Sequence, residues 1–139
     1  MIDLRYFDRS EFRESWDVMS VRQLILMDSA RHQWGASITI SPVRGALARH
    51  NGPDDDSQHN VDRWGECRAA DQFFEGMTDK PSANRVIGIL IRAGFTGIGL
   101  YPDWKPQPGI HSDCRQPAKP GEPALWGMID DGNGQYQVS

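Results

Sequence analysis

The stretch that decides the fold is Gly97-Ile98-Gly99-Leu100-Tyr101-Pro102, followed after a Pro/Gly-rich interval by Gly109-Ile110-His111-Ser112-Asp113-Cys114-Arg115. Within it, Gly97 to Tyr101 and Ile110 to Arg115 are short and set apart by Pro/Gly-rich loops, which reads as strand rather than helix. A third run of this kind covers residues 124–129. Just ahead of the three, Ser82 is expected to open a helix whose Val86, Ile87, Ile89, Leu90, Ile91 and Ala93 leave almost no polar face. Such a helix should be buried, with Gly94 as its stop. The late connections are too short for parallel crossovers. The expected fold is therefore α+β, an antiparallel sheet of four to five strands packed with two main helices.

Reading outward, Ser20 is a fitting N-cap for a helix in which Val21, Leu24, Ile25, Met27, Ala30 and Trp34 recur at three- and four-residue steps before Gly35. Ahead of it, the Asp8 to Glu11 spacing suggests a capping box for a short helical turn over residues 11–16. Ser37-Ile38-Thr39-Ile40-Ser41 alternates like a half-buried strand and Pro42 ends it. Residues 44–64, with Gly45, Gly52, Pro53 and the run Asp54-Asp55-Asp56, read as a short helix and then a long surface loop. Residues 66–74 read as another strand, and the tail from Asp130 is expected to be loose.

The 139 residues suit one domain over 1–139 with one hydrophobic core. A hydrophobic share of 38% is too high for a disordered chain, and a mean hydropathy of -0.59 is too low for a membrane protein. The net charge of -4, without a Lys/Arg block interleaved with aromatics, argues against nucleic acid as a partner. No segment has signal-peptide or membrane-span character, so the chain is expected to be made in the cytoplasm without its own export signal and not to insert in a membrane. Cys67 and Cys114 lie outside any CxxC pair and read as buried thiols.

A catalytic zinc site takes three protein ligands from His, Asp, Glu or Cys and keeps a fourth position open. Of the four histidines, His59 and His111 each have a carboxylate nearby in sequence, Asp71 and Asp113. Residues two apart on a strand share a face, so His111, Asp113 and Arg115 would make that face polar. Ser57-Gln58-His59, Gly65-Glu66-Cys67-Arg68-Ala69-Ala70-Asp71, Gly97 to Pro102 and Gly109 to Arg115 resemble, in that order, the motifs S-x-H, G-x-A-x-D, G-x-G-x-Y and H-x-D-x-R. Those belong to the M15 family of zinc D-alanyl-D-alanine carboxypeptidases and endopeptidases, in its small phage and bacterial branch. The resemblance covers residues 38–126.

That resemblance implies a hedgehog/DD-peptidase-like fold and a Zn2+ ion held by His59, Asp71 and His111. Ser41-Pro42-Val43-Arg44 is similar to the family's S-G-Y-R, which makes Arg44 the expected substrate-binding and charge-stabilising arginine. Ser57, Trp64 and Tyr101 are the other expected substrate contacts, while Trp126 matches a family tryptophan and is expected in the core. Two departures stand out. Twelve residues separate His59 from Asp71 where relatives have about seven, so residues 60–65 look inserted, a protruding loop is expected there, and Asp62 becomes a rival ligand. No acid directly precedes His111, which leaves Asp113 as the first candidate for proton transfer, or equally an orienter of a ligand, with Asp103 and Glu66 behind it.

The implied activity is zinc-dependent hydrolysis of peptidoglycan stem peptides, by a cell-wall lytic enzyme of a phage lysis system or a virion component. It would act in the periplasm or cell wall after release. The alternative is an inactive zinc-containing binding or structural module of the same fold, as hedgehog signalling domains are similar in fold.

Overall fold

The computed structural model describes residues 2–127 and, beyond them, 129, 130, 136 and 137. A 3₁₀ segment, Arg9–Val18, is followed by α1 (Val21–Trp34), β1 (Ile38–Ile40), α2 (Val61–Trp64), β2 (Ala69–Phe74), α3 (Lys80–Ala93), β3 (Gly97–Tyr101), β4 (Gly109–Asp113) and β5 (Ala124–Gly127). Two short strands, Ile129–Asp130 and Tyr136–Gln137, pair with each other. The rest of the tail from Asp130 lies outside the described residues.

The sheet runs β1-β2-β4-β3-β5. The β1/β2, β2/β4 and β4/β3 pairs are antiparallel, but β3 and β5 are parallel, so the sheet is mixed rather than antiparallel throughout. No helical crossover separates β3 from β5. β4 brings the chain back to the end where β3 began, and residues 114–123 only have to pass one strand to start β5 in the direction of β3.

One face of the sheet is covered by α1 and α3. Ile98, Leu100, Ile110, Ala70 and Phe74 from the strands share a core with Leu24, Met27 and Ala30 of α1 and Val86, Ile89 and Leu90 of α3. Burying each of the larger of these side chains, the Val, Leu, Ile, Met and Phe, contributes about 1.5–3 kcal/mol. Helix α1 starts and stops as its sequence suggests; α3 stops at Gly94 as expected but starts two residues before Ser82, at Lys80 behind the N-cap Asp79. Ser20 Oγ accepts from the Gln23 amide, Asp79 and Ser82 form a capping box, and Gly35 and Gly94 close the ends in the left-handed region. The expected faces need correction. Val21 and Ile25 are exposed, and the core side of α1 carries Gln23, whose amide nitrogen donates to Ser112 on β4. An amide whose nitrogen finds acceptors on a strand can sit where periodicity alone places an aliphatic, although the Gln23 side-chain oxygen stays buried without a hydrogen-bond partner. Helix α3 is not buried all round either, because it covers an outer face of the molecule and leaves Ile91 in solvent.

Near the N-terminus the Asp8/Glu11 capping box is present, with a longer 3₁₀ segment behind it than expected. The short helix of the 44–64 stretch comes at its end, as α2, not at its beginning. Residues 60–65 are thus a capped helical turn instead of a protruding loop: Asn60 caps it and Gly65 ends it at φ 74°. Asn60 is fully buried and ties the loop before it together, donating to the Gly52 and Asp55 carbonyls and accepting from the Asn51 amide. Both cysteines are free, and burial pushes the Cys67 thiol up to about 12.

Candidate metal centre

The other face of the sheet carries chemistry. Register puts Asp71 of β2, His111 of β4 and Gly99 of β3 side by side, and Ala69, Asp113 and Gly97 in the next row. The glycines follow from what stands over them. A methyl group on Gly97 would overlap the Asp113 carboxylate, and one on Gly99 would overlap the Trp126 indole. The G-x-G-x-Y pattern is therefore the footprint of the side chains that cross β3.

His59 reaches this face from the loop before α2. Its backbone is held by Ser57 Oγ, which accepts the His59 amide at 3.3 Å, and by its carbonyl, which accepts from the Arg49 amide at 2.9 Å. Its Nδ1 lies 2.6 Å from the Leu47 carbonyl, which has no hydrogen to give, so Nδ1 carries the proton and Nε2 keeps its lone pair. His111 is fixed in the opposite sense. Its Nε2 is 2.7 Å from Asp113 Oδ2, leaving the Nδ1 lone pair pointing forward. His59 Nε2, His111 Nδ1 and Asp71 Oδ1 then form a triangle with sides of 3.1, 3.2 and 3.3 Å.

Three acceptors facing one another in a buried place call for a cation between them. Ligands at about 2.0–2.2 Å from a tetrahedral ion stand about 3.3–3.6 Å apart, so this triangle is close to one face of such a site. The buried His59, Asp71 and His111 can bind a metal ion, and they are the one cluster of this kind among the described residues. Without a metal, protons take its place. Burial opposes ionisation of Asp71, yet the two histidines outweigh it and bring its pKa to about 2. Burial likewise disfavours a charged His111, and Asp113 and Asp71 outweigh that and raise its pKa.

Asp113 stands behind His111 and is fully buried. Arg115 grips it with Nε at 2.9 Å from Oδ1 and a terminal nitrogen at 2.6 Å from Oδ2, and Oδ1 also accepts the Arg115 amide. Burial raises the Asp113 pKa, and Arg115 and His111 more than reverse this, to about 2. Both oxygens are committed, so of the two roles open to Asp113 the geometry fits the orienter and not the proton carrier.

The triangle forms the floor of a cleft of about 570 Å³. Ser57, Trp64 and Tyr101 line it as expected, and so does Trp126, which is half-buried 5.1 Å from the His111 ring instead of in the core. Arg44 does not. It is exposed and borders a neighbouring cavity, while Arg49, five residues on, lines the cleft with a terminal nitrogen 3.6 Å from Asp71 Oδ2. The turn over residues 43–46 sends Arg44 outward, and the Arg49–Asn60 bridge beside His59 carries Arg49 in. Asp62 is engaged by His50 and the Gly52 amide, away from the cleft, which removes it as a rival ligand. Asp103 is exposed and Glu66 pairs with Arg68, and neither lines the cleft.

Sequence reasoning passed over Arg49, Asp56, Trp104 and Arg68 as cleft residues. Only Trp104 left a signal, since Gly109 has no side chain where the Trp104 ring lies. Comparison of the chain with family models, curated proteins and solved structures finds no match.

Proposed function

We propose that this protein is a zinc peptidase of the M15 type, with a hedgehog/DD-peptidase-like fold, that hydrolyses peptide bonds in peptidoglycan stem peptides. One observation carries the reading: the His and Asp residues of the motifs converge, lone pairs inward, on the floor of an open cleft. A donor set of two imidazoles and one carboxylate with an open side suits zinc in a catalytic role. A bound zinc ion would supply Lewis acidity, to a carbonyl oxygen and to water.

The chain's own residues do the rest. Leu47 and Asp113 hold the two imidazoles in the tautomers that present a lone pair. Arg49 takes the part first given to Arg44, a fixed cation facing charge that develops on the substrate. Tyr101 stacks on Trp104 with centroids 4.4 Å apart, and Trp126 donates to Tyr101 Oη at 2.8 Å, which gives the cleft a rigid aromatic wall. Asp56 is the carboxylate at the cleft other than Asp71, so it replaces Asp113 as the candidate for moving a proton between water and the leaving amine.

The test is incubation of the zinc-loaded protein with purified peptidoglycan, with and without chelator, and mass analysis of released fragments. Chelator-sensitive release of stem peptides supports the peptidase. A second reading, a zinc-bearing binding module of the same fold, draws on the locking of Asp113 by Arg115, and full zinc occupancy without any release would favour it.

A further inference from the structure

Four arginines line the cleft, Arg49, Arg63, Arg68 and Arg115, against two carboxylates, Asp56 and Asp71, in a chain whose net charge is -4. Their donors are not equally free. Arg115 is spent on Asp113, and Arg49 is held between the Gly45 carbonyl and Asp71. Arg63 and Arg68 are different. Each rests on the ring of Trp64, with guanidinium carbons 5.1 and 4.9 Å from the ring centroid. Trp64 is itself anchored, its indole N–H donating to the Ser57 carbonyl at 2.9 Å. Arg63 makes one further bond, to the Pro53 carbonyl, and Arg68 makes one, to the half-exposed Glu66. A guanidinium has five N–H donors, so most of each fork remains available.

Stacking on a fixed indole holds a guanidinium without using its N–H groups, which removes part of the entropy cost of binding an anion. Residues 60–65, the segment that lengthens the interval between His59 and Asp71, supply both Arg63 and Trp64. We infer that this wall makes the cleft selective for acidic peptides, with Arg63 and Arg68 binding a substrate carboxylate that is not part of the cleaved bond. The inference rests on the peptidase reading for the word substrate. The anion site itself does not depend on hydrolysis.

The experiment uses two peptides of stem-peptide length, identical except that one bears a side-chain carboxylate and the other the carboxamide. Both are titrated calorimetrically into the metal-loaded wild type and into the double variant Arg63→Gln, Arg68→Gln, with metal content and hydrolysis measured in parallel. Wild type should bind the carboxylate peptide about tenfold tighter than its twin, a gap that narrows as salt rises. The double variant should keep its metal and bind the two peptides alike. Equal binding by wild type, or discrimination that survives in the double variant, overturns the inference. Discrimination without hydrolysis would sustain the anion wall and remove the peptidase, whereas hydrolysis of both peptides with equal binding would do the reverse.

Discussion

At the scale of single residues, the protonation of two imidazoles matters most. His59 and His111 offer lone pairs to the same point because each has its other nitrogen bound, one to Leu47 and one to Asp113. His111→Ala should therefore abolish high-affinity metal binding. Asp113→Asn is subtler. An amide next to both His111 and Arg115 cannot satisfy two donors as a carboxylate does, so metal affinity should fall by about 10–100-fold in a competition with a chromophoric chelator. Unchanged affinity would mean that the His111 tautomer does not need its carboxylate. The arginines make a second pair of expectations. Arg44→Ala should leave fragment release near wild type, since Arg44 is exposed outside the cleft, whereas Arg49→Ala should lower it by about 10²-fold, as loss of a charge-stabilising donor does. The reverse order would restore the role that resemblance gave to Arg44.

At the scale of elements, β3 is the strand on which the site is built without contributing a ligand. Its Gly97 and Gly99 leave space for the Asp113 carboxylate and the Trp126 indole. Both contacts are with held side chains, so neither neighbour can give way at low cost. Gly97→Ala and Gly99→Ala should each destabilise the fold by about 1–3 kcal/mol in urea unfolding, the usual range for overpacking. They should differ in metal binding: Gly97→Ala displaces Asp113 and hence His111, and Gly99→Ala disturbs Trp126 and leaves the ligands in place. Similar metal affinity in the two variants would count against this division of labour. The parallel β3/β5 pair belongs to the same account, because only that register lays Trp126 across Gly99.

At the scale of the whole molecule, the metal should join the loop before α2 to the sheet, since His59 belongs to one and Asp71 and His111 to the other. Saturating zinc at about 100 times its dissociation constant would add about 2.7 kcal/mol to stability, so chelation should lower the thermal midpoint clearly. Protons compete for the same place. The His111 pKa is raised, so its proton stabilises the metal-free fold below the ordinary histidine range, and that contribution is lost as pH rises through the raised value. Zinc affinity should consequently climb with pH through that region, and the thermal gain from zinc should shrink on acidification; a gain that is flat with pH would contradict the ligand set. In the chelated protein, Asp71 and Asp113, both at about 2, stabilise the fold above the ordinary carboxylate range and cease to do so as pH falls from about 4 toward 2. What depends on neighbours along the chain was legible in the sequence: both capped ends of α1, the Gly94 stop of α3, the strand segments bounded by Gly and Pro, and the face that His111 and Asp113 share. The sequence also pointed to His59, Asp71 and His111, whose order and motif words are local. The tertiary structure alone decided the rest. Whether Arg44 or Arg49 enters the cleft and whether β5 runs with or against β3 depend on contacts between segments far apart in sequence, and no local propensity encodes those distances.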